Sequence, residues 1–96
     1  MNKLPNSTKV VVIGGGVVGC SCAYHLAKFG WKDVTLLERD MLTSGTTWHA
    51  AGLVSQIGPS APITKIRKYS LDLYKDLEKK IDHSAGLRLN GAISIA

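Results

Sequence analysis

A chain of 96 residues, 45% apolar and 20% charged, is one small globular domain or a piece of a larger one, and this composition excludes a disordered segment. The net charge of +5 comes from scattered basic residues without an interleaved aromatic stripe, which argues against nucleic-acid binding. It leaves a general positive field that suits an anionic ligand such as a pyrophosphate.

Residues 1–8 form a leader with neither an apolar core nor Arg-rich amphipathic character, so they do not read as a signal or transit peptide. Lys9 to Ile13 is a short β-branched run and is expected to be a fully buried strand. It runs directly into Gly14-Gly15-Gly16-Val17-Val18-Gly19. A helix is expected from about Gly16 or Val17 to Phe29, with Val18, Cys22, Leu26, Ala23 and Ala27 facing inward. Gly30 should end it as a left-handed cap. Cys20 and Cys22 lie two apart on this helix, so their side chains diverge; they read as reduced, buried thiols in a reducing compartment. After Trp31-Lys32-Asp33, Val34 to Leu37 is the second strand, so residues 9–38 form a right-handed βαβ unit with parallel strands.

The glycine spacing is that of a dinucleotide-binding turn. Gly14 allows the sharp exit from the strand, Gly16 lets backbone approach a pyrophosphate, and Gly19 lets helix pack close to strand. The first amides of the helix, from about Gly16 to Val18, point at such a phosphate. Glu38 lies 19 positions past Gly19, near the spacing at which an acid accepts hydrogen bonds from the adenosine ribose. Its charge disfavours a 2′-phosphate, an exclusion that Arg39 weakens slightly. The competing reading is a glycine-rich turn without a ligand and a solvated Glu38. FAD and NAD share the ADP half, so these residues leave an NAD-binding module open.

Residues 39–47 read as loop with a helix start inside it, and residues 48–54 are mostly small and apolar. Ser60 is placed to cap a helix that has Pro62 in its first turn. Ile63, Ile66, Ser70, Leu73, Tyr74, Leu77 and Ile81 follow helical spacing, so a long amphipathic helix is expected over 61–83, with Lys65, Lys68, Lys75, Asp76, Glu78 and Lys79 largely on its solvated side. Leu87 to Leu89 and Ala92 to Ile95 read as strands about an Asn90-Gly91 hairpin, which makes 87–96 the start of the next strands. No apolar run is long enough to span a membrane, and no residues have metal-ligand spacing. A two-stranded parallel sheet needs cover on both faces. The chain is therefore expected to be the N-terminal portion of a larger protein, and marginal alone. His25 and His83 read as ordinary helix residues, and Tyr69 and Tyr74 as core.

Thr43-Ser44-Gly45-Thr46-Thr47-Trp48-His49-Ala50-Ala51-Gly52-Leu53 is a small, hydroxyl-rich stretch that can lie along a diphosphate and donate hydrogen bonds. With Gly14 to Gly19, Leu36-Leu37-Glu38-Arg39 and Asn90-Gly91-Ala92-Ile93-Ser94-Ile95, it makes the chain resemble the sarcosine and dimethylglycine dehydrogenase family of flavoproteins. That family belongs to the amine-oxidising flavoenzymes related to D-amino-acid oxidase. The resemblance covers essentially everything after the leader.

It implies an α/β fold: an incomplete Rossmann-like βαβ FAD-binding unit, the N-terminal part of a D-amino-acid oxidase-like fold. It also implies FAD rather than NAD. By position, Val17 and Val18 meet the pyrophosphate beside the cofactor-binding glycines Gly14, Gly16 and Gly19, Glu38 and Arg39 meet the adenosine side, and Gly45, Thr46, Thr47, Trp48, His49, Ala50, Ala51, Gly52 and Leu53 line the flavin. His49 matches the histidine that the family joins covalently to the flavin 8α carbon, and neutral imidazole is a suitable nucleophile. The alternative for His49 is a noncovalent polar contact.

The implied reaction is hydride transfer from an N-methyl amine, such as sarcosine or dimethylglycine, to FAD. The product iminium is hydrolysed or passed to tetrahydrofolate held in a C-terminal region beyond this chain. The electrons leave to an electron-transfer flavoprotein or oxygen. No catalytic acid or base is assigned within these residues. The implied compartment is a bacterial cytoplasm or the mitochondrial matrix. Because a phosphatase regulatory subunit belongs to the same family, a non-catalytic role or an inactive truncated fragment is the alternative.

Overall fold

The computed structural model describes residues 3–95. Met1 and Asn2 of the expected leader, and Ala96 at the end of the last expected strand, lie outside the described residues. The chain divides into two compact units, Met1–Ala51 and Gly52–Ala96.

In the first unit, β1 (Val10–Ile13), α1 (Val17–Lys28) and β2 (Val34–Leu37) follow in order. The two strands are parallel, with Val10 opposite Val34 and Ile13 opposite Leu37, as the βαβ reading predicts. Asp33 fixes where pairing starts. Its carboxylate accepts from the Lys9 amide and the Thr8 hydroxyl, both at 3.0 Å. At the other end the Gly14 amide donates to the Leu37 carbonyl at 2.8 Å, carrying the ladder into the glycine turn. Gly30 caps α1 at φ +92°, with its amide on Ala27 O and the Trp31 amide on Leu26 O. This paired arrangement satisfies two carbonyls of the last turn and needs a residue without Cβ penalty.

Two expectations about packing are corrected. β1 is not fully buried: Val10 and Val12 are half-buried, whereas Val11 is exposed and Ile13 is 84% exposed. Successive side chains of a strand point to opposite faces, and α1 covers only one of them. The inward face of α1 is also rotated. Val18 is 73% exposed, and Cys22 and Ala27 are exposed, while Gly19, Ala23 and Leu26 are shielded. Close approach at Gly19 sets this rotation, because a Cβ there would overlap the Gly14 carbonyl oxygen. Val18 and Cys22 each precede a shielded position by one residue, about 100° around the helix. Both cysteines are free, but Cys22 is exposed rather than buried.

In the second unit, α2 spans Ala61–Ile81 and ends at Asp82, which takes the left-handed conformation at φ 47°. Ser60 occupies the N-cap position but makes no side-chain cap bond. The flanking chain is instead held by side chains of the helix. Thr64 Oγ1 accepts from the Gly58 amide at 2.9 Å, and Arg67 donates to Ile57 O at 2.7 Å and to Ser55 Oγ at 3.2 Å. Glu78 Oε1 accepts from the Ala85 and Leu87 amides at 2.8 and 3.3 Å.

These bonds cover a face different from the one the apolar spacing predicts. Thr64, Arg67 and Glu78 are half-buried, and Leu71 is the most shielded apolar side chain described, at 9% exposure. Ser70, Leu73, Tyr74 and Leu77 are half-buried as expected, but Ile63, Ile66 and Ile81 are exposed. Residues 87–95 form no strand. A two-residue hairpin of the favoured type needs positive φ at both central residues, and only Gly91 has it, at 74°.

Candidate cofactor site

The site lies in the first unit, where the chain leaves β1 and enters α1. Gly14 takes φ +104°, and Gly16, in extended backbone, holds the N-cap position of α1. Gly16 has no side chain to cap the helix. The first intrahelical bond runs from the Cys20 amide to Gly16 O at 2.9 Å. Among the described residues the Val18 and Gly19 amides have no protein acceptor, whereas the Val17 amide donates to Thr47 Oγ1 at 2.9 Å. The helix start therefore presents amide donors with partial positive charge, the chemistry that holds a phosphate.

Glu38 follows β2 directly. Its Oε2 accepts from the Gly15 amide at 2.7 Å and its Oε1 from the Asp40 amide at 3.1 Å. The Gly15 amide, then the Asp40 amide, hold the carboxyl below its usual range, because hydrogen bonds to the charged form favour it. Glu38 is thus a carboxylate at neutral pH with lone pairs left for further donors.

From Asp40 the chain turns back over the glycine turn. The Thr43 amide donates to Gly15 O at 2.8 Å, with Thr43 itself at φ 65°. Ser44 closes a local turn through its hydroxyl on Met41 O at 2.8 Å. Trp48, His49 and Ala50 donate to the carbonyls of Gly45, Thr46 and Thr47, at 3.1, 3.1 and 3.3 Å. The helix start expected here is therefore a run of tight turns. His49 Nδ1 lies 2.9 Å from Gly45 O. A carbonyl only accepts, so this nitrogen carries the proton and Nε2 holds the lone pair of the neutral ring.

A cleft of about 350 Å³ results. Gly16, Glu38, Arg39, Gly45, Thr46 and Thr47 line it, as does the stretch Asp40, Thr43 and Ser44. Trp48 (78% exposed), His49, Ala50 and Ala51 lie outside that lining and are exposed. Gly52 and Leu53 fall in the second unit, and both are exposed. The donor set fits a dinucleotide: amides at a helix start, a Cβ-free approach at Gly16, and a carboxylate at the end of the second strand.

Sequence reasoning gave Gly15 no role, and it placed Thr43 in the hydroxyl-rich stretch without its contact to Gly15 O. Gly15 stands where the fingerprint accepts any residue, yet it is buried. A Cβ there would come within 2.6 Å of Leu42 Cδ2 and 3.0 Å of Glu38 Cβ. The signal was present in the sequence as a third glycine, at a position where the motif needs none.

The sequence profile of the FAD dependent oxidoreductase family matches residues 9–96. Among curated proteins, human mitochondrial dimethylglycine dehydrogenase is 49% identical over 88 residues, covering 92% of this chain and 10% of the relative. The 4-methylaminobutanoate oxidase (formaldehyde-forming) of Paenarthrobacter nicotinovorans is 44% identical over 93 residues, covering 97% of this chain and 11% of its own. The mouse mitochondrial pyruvate dehydrogenase phosphatase regulatory subunit is 42% identical over 93 residues, with the same coverage of 97% and 11%. The chain thus spans about a tenth of the length of these relatives. No described helix is long and apolar enough to cross a membrane.

Proposed function

The chain belongs to the FAD dependent oxidoreductase family, and from that membership we propose that it is the cofactor-holding portion of an enzyme that oxidises an N-methyl amine. Two of the relatives named above carry N-methyl amines in their names, which supports this substrate class. The observation that carries the reading is the cleft lined by Gly16 at the start of α1, by Glu38 and by Thr43 to Thr47.

Bound FAD supplies two-electron acceptance from the substrate's carbon–nitrogen centre. The chain's own residues bind and orient it. The Val18 and Gly19 amides take pyrophosphate oxygens, and Gly14 and Gly16 keep the turn open to them. Glu38, ionised by its backbone donors, accepts from the ribose hydroxyls, with Arg39 beside it. Gly45 to Leu53 runs along the flavin. His49 would be the attachment residue, and Nε2 is its available nitrogen, since Nδ1 is committed to Gly45 O. The substrate site, the folate site and the electron acceptor (an electron-transfer flavoprotein or oxygen) involve chain beyond these residues.

The test is a panel of N-methyl amines mixed anaerobically with the full-length protein. At least one should bleach the flavin absorbance. Bleaching by none of them contradicts the proposal and favours a non-catalytic role, the reading that the 42% identical regulatory subunit supports. His49→Ala should convert acid-stable flavin into acid-extractable flavin; flavin still acid-stable in that variant would refute the link.

A further inference from the structure

We infer that Thr47 is a positioning residue: its hydroxyl docks the 43–49 loop on the first turn of α1 and so fixes where His49 stands. This rests on the flavin-binding reading above. Three observations carry it.

Gly16 offers α1 no side-chain cap, and the acceptor for the first helical amide comes from 30 residues further on, as Thr47 Oγ1 at 2.9 Å from Val17 N. A hydroxyl that accepts from an N–H still has its own proton to donate, so the contact leaves Thr47 a donor toward the cleft. Next, a Cβ on Gly16 would come within 2.9 Å of the same oxygen. A side chain at Gly16 would therefore press on the seated Thr47 hydroxyl, independently of any phosphate. Finally, Thr47 is the one half-buried residue in 43–53; its neighbours are exposed.

The loop is otherwise attached to the glycine turn by the Thr43 amide on Gly15 O. Thr47 adds a second attachment four residues on, one that depends on a side chain. With both in place, the turns from Gly45 to Ala50 start from a fixed point and His49 follows two residues later. Without the hydroxyl, the loop is held only at Thr43 and the register of His49 is free to drift.

The experiment compares Thr47→Val and Thr47→Ser in the full-length protein, prepared with flavin and, under riboflavin limitation, without it. Valine keeps the shape and removes the hydroxyl; serine keeps the hydroxyl. In the flavin-free protein, hydrogen exchange at the Val17 amide should speed up about five- to tenfold in Thr47→Val, the scale of one lost helix cap. Thr47→Ser should stay within about twofold of the parent. Exchange across α2 should not change in either variant, which shows that both are folded. In the flavin-loaded protein, the ratio of acid-stable to acid-extractable flavin should fall about tenfold in Thr47→Val and recover in Thr47→Ser.

Unchanged Val17 exchange in Thr47→Val, or a serine variant as impaired as the valine variant, overturns the inference. A parent protein without any flavin defeats the flavin reading instead, and the Val17 exchange then decides the docking contact alone.

Discussion

The two units hold their irregular chain in different ways. In the first, close approach does the holding: a Cβ on Gly15, Gly16 or Gly19 would come within 3 Å of a neighbour, and the chain after β2 is fastened there by the Thr43 amide on Gly15 O, the Glu38 carboxylate on the Gly15 amide and the Thr47 hydroxyl on the Val17 amide. In the second, polar side chains of one helix reach out, and Thr64, Arg67 and Glu78 gather the segments before and after it. Close approach of this kind is intolerant, since a single added methyl has no room. Side-chain fastening is graded, since each bond contributes about 1 kcal/mol and can be lost singly. The difference suits a cofactor site on the first unit, where the placement of donors matters to fractions of an ångström.

That contrast can be broken most severely at Gly19. A Cβ there has no space beside the Gly14 carbonyl, so Gly19→Ala should destabilise the full-length protein by about 3 kcal/mol or more, at the upper end of overpacking costs. Thermal unfolding measures it, and a change under about 1 kcal/mol would show that helix and strand can separate there freely.

A smaller effect is expected at Gly30, where φ of +92° but open space surrounds the residue. Gly30→Ala should cost about 1–2 kcal/mol from backbone conformation alone. Gly45 has neither positive φ nor a neighbour within 4 Å, so Gly45→Ala should change stability by less than about 0.5 kcal/mol. Equal costs at Gly30 and Gly45 would mean that the cap geometry is misassigned.

In the second unit, Arg67→Met should cost about 1 kcal/mol and raise hydrogen exchange in 55–58, leaving the helix itself protected. Melting of α2 in this variant would mean that the flanking segment, not the helix, is the organising element.

The mildest prediction concerns pH. Glu38 has a folded pKa below the unfolded 4.5, because the Gly15 and Asp40 amides favour its charged form. Its contribution is therefore complete above 4.5 and is lost as pH falls through the lower folded value. Glu38→Gln should lower stability by a constant amount at neutral pH and flatten that acid limb, so that its cost shrinks as pH falls below 4.5. An effect of the substitution that grew between pH 6 and 8 would contradict this sign.

The elements themselves were legible in the sequence. β1, α1, β2 and α2 fall within a residue or two of their expected bounds, because β-branched runs, Gly30 and the Ser60–Pro62 start are local signals. The rotation of each helix was not legible. Apolar spacing placed Val18 and Cys22 inward on α1, yet the Gly19–Gly14 approach overrides it, an effect of what is missing from a side chain. On α2, Ile63 and Ile66 read as core, yet Thr64 and Arg67 bind backbone that no periodicity describes. The 87–95 hairpin failed for a related reason: Asn90-Gly91 is a turn signal, but three- and four-residue strands without a neighbouring sheet do not hold. Gly16 and Glu38, which line the cleft, stand at positions that the spacing singles out. Gly15 and Thr43 act through backbone contacts formed only once the loop has folded back.

The measurement that tests the central claim most directly is flavin fluorescence of the full-length protein band after acid denaturation and gel separation, with His49→Ala alongside. The account predicts a fluorescent band for the parent and a dark band, with free FAD in the supernatant, for the variant. A parent preparation without flavin in band or supernatant would contradict the assignment of this cleft to FAD.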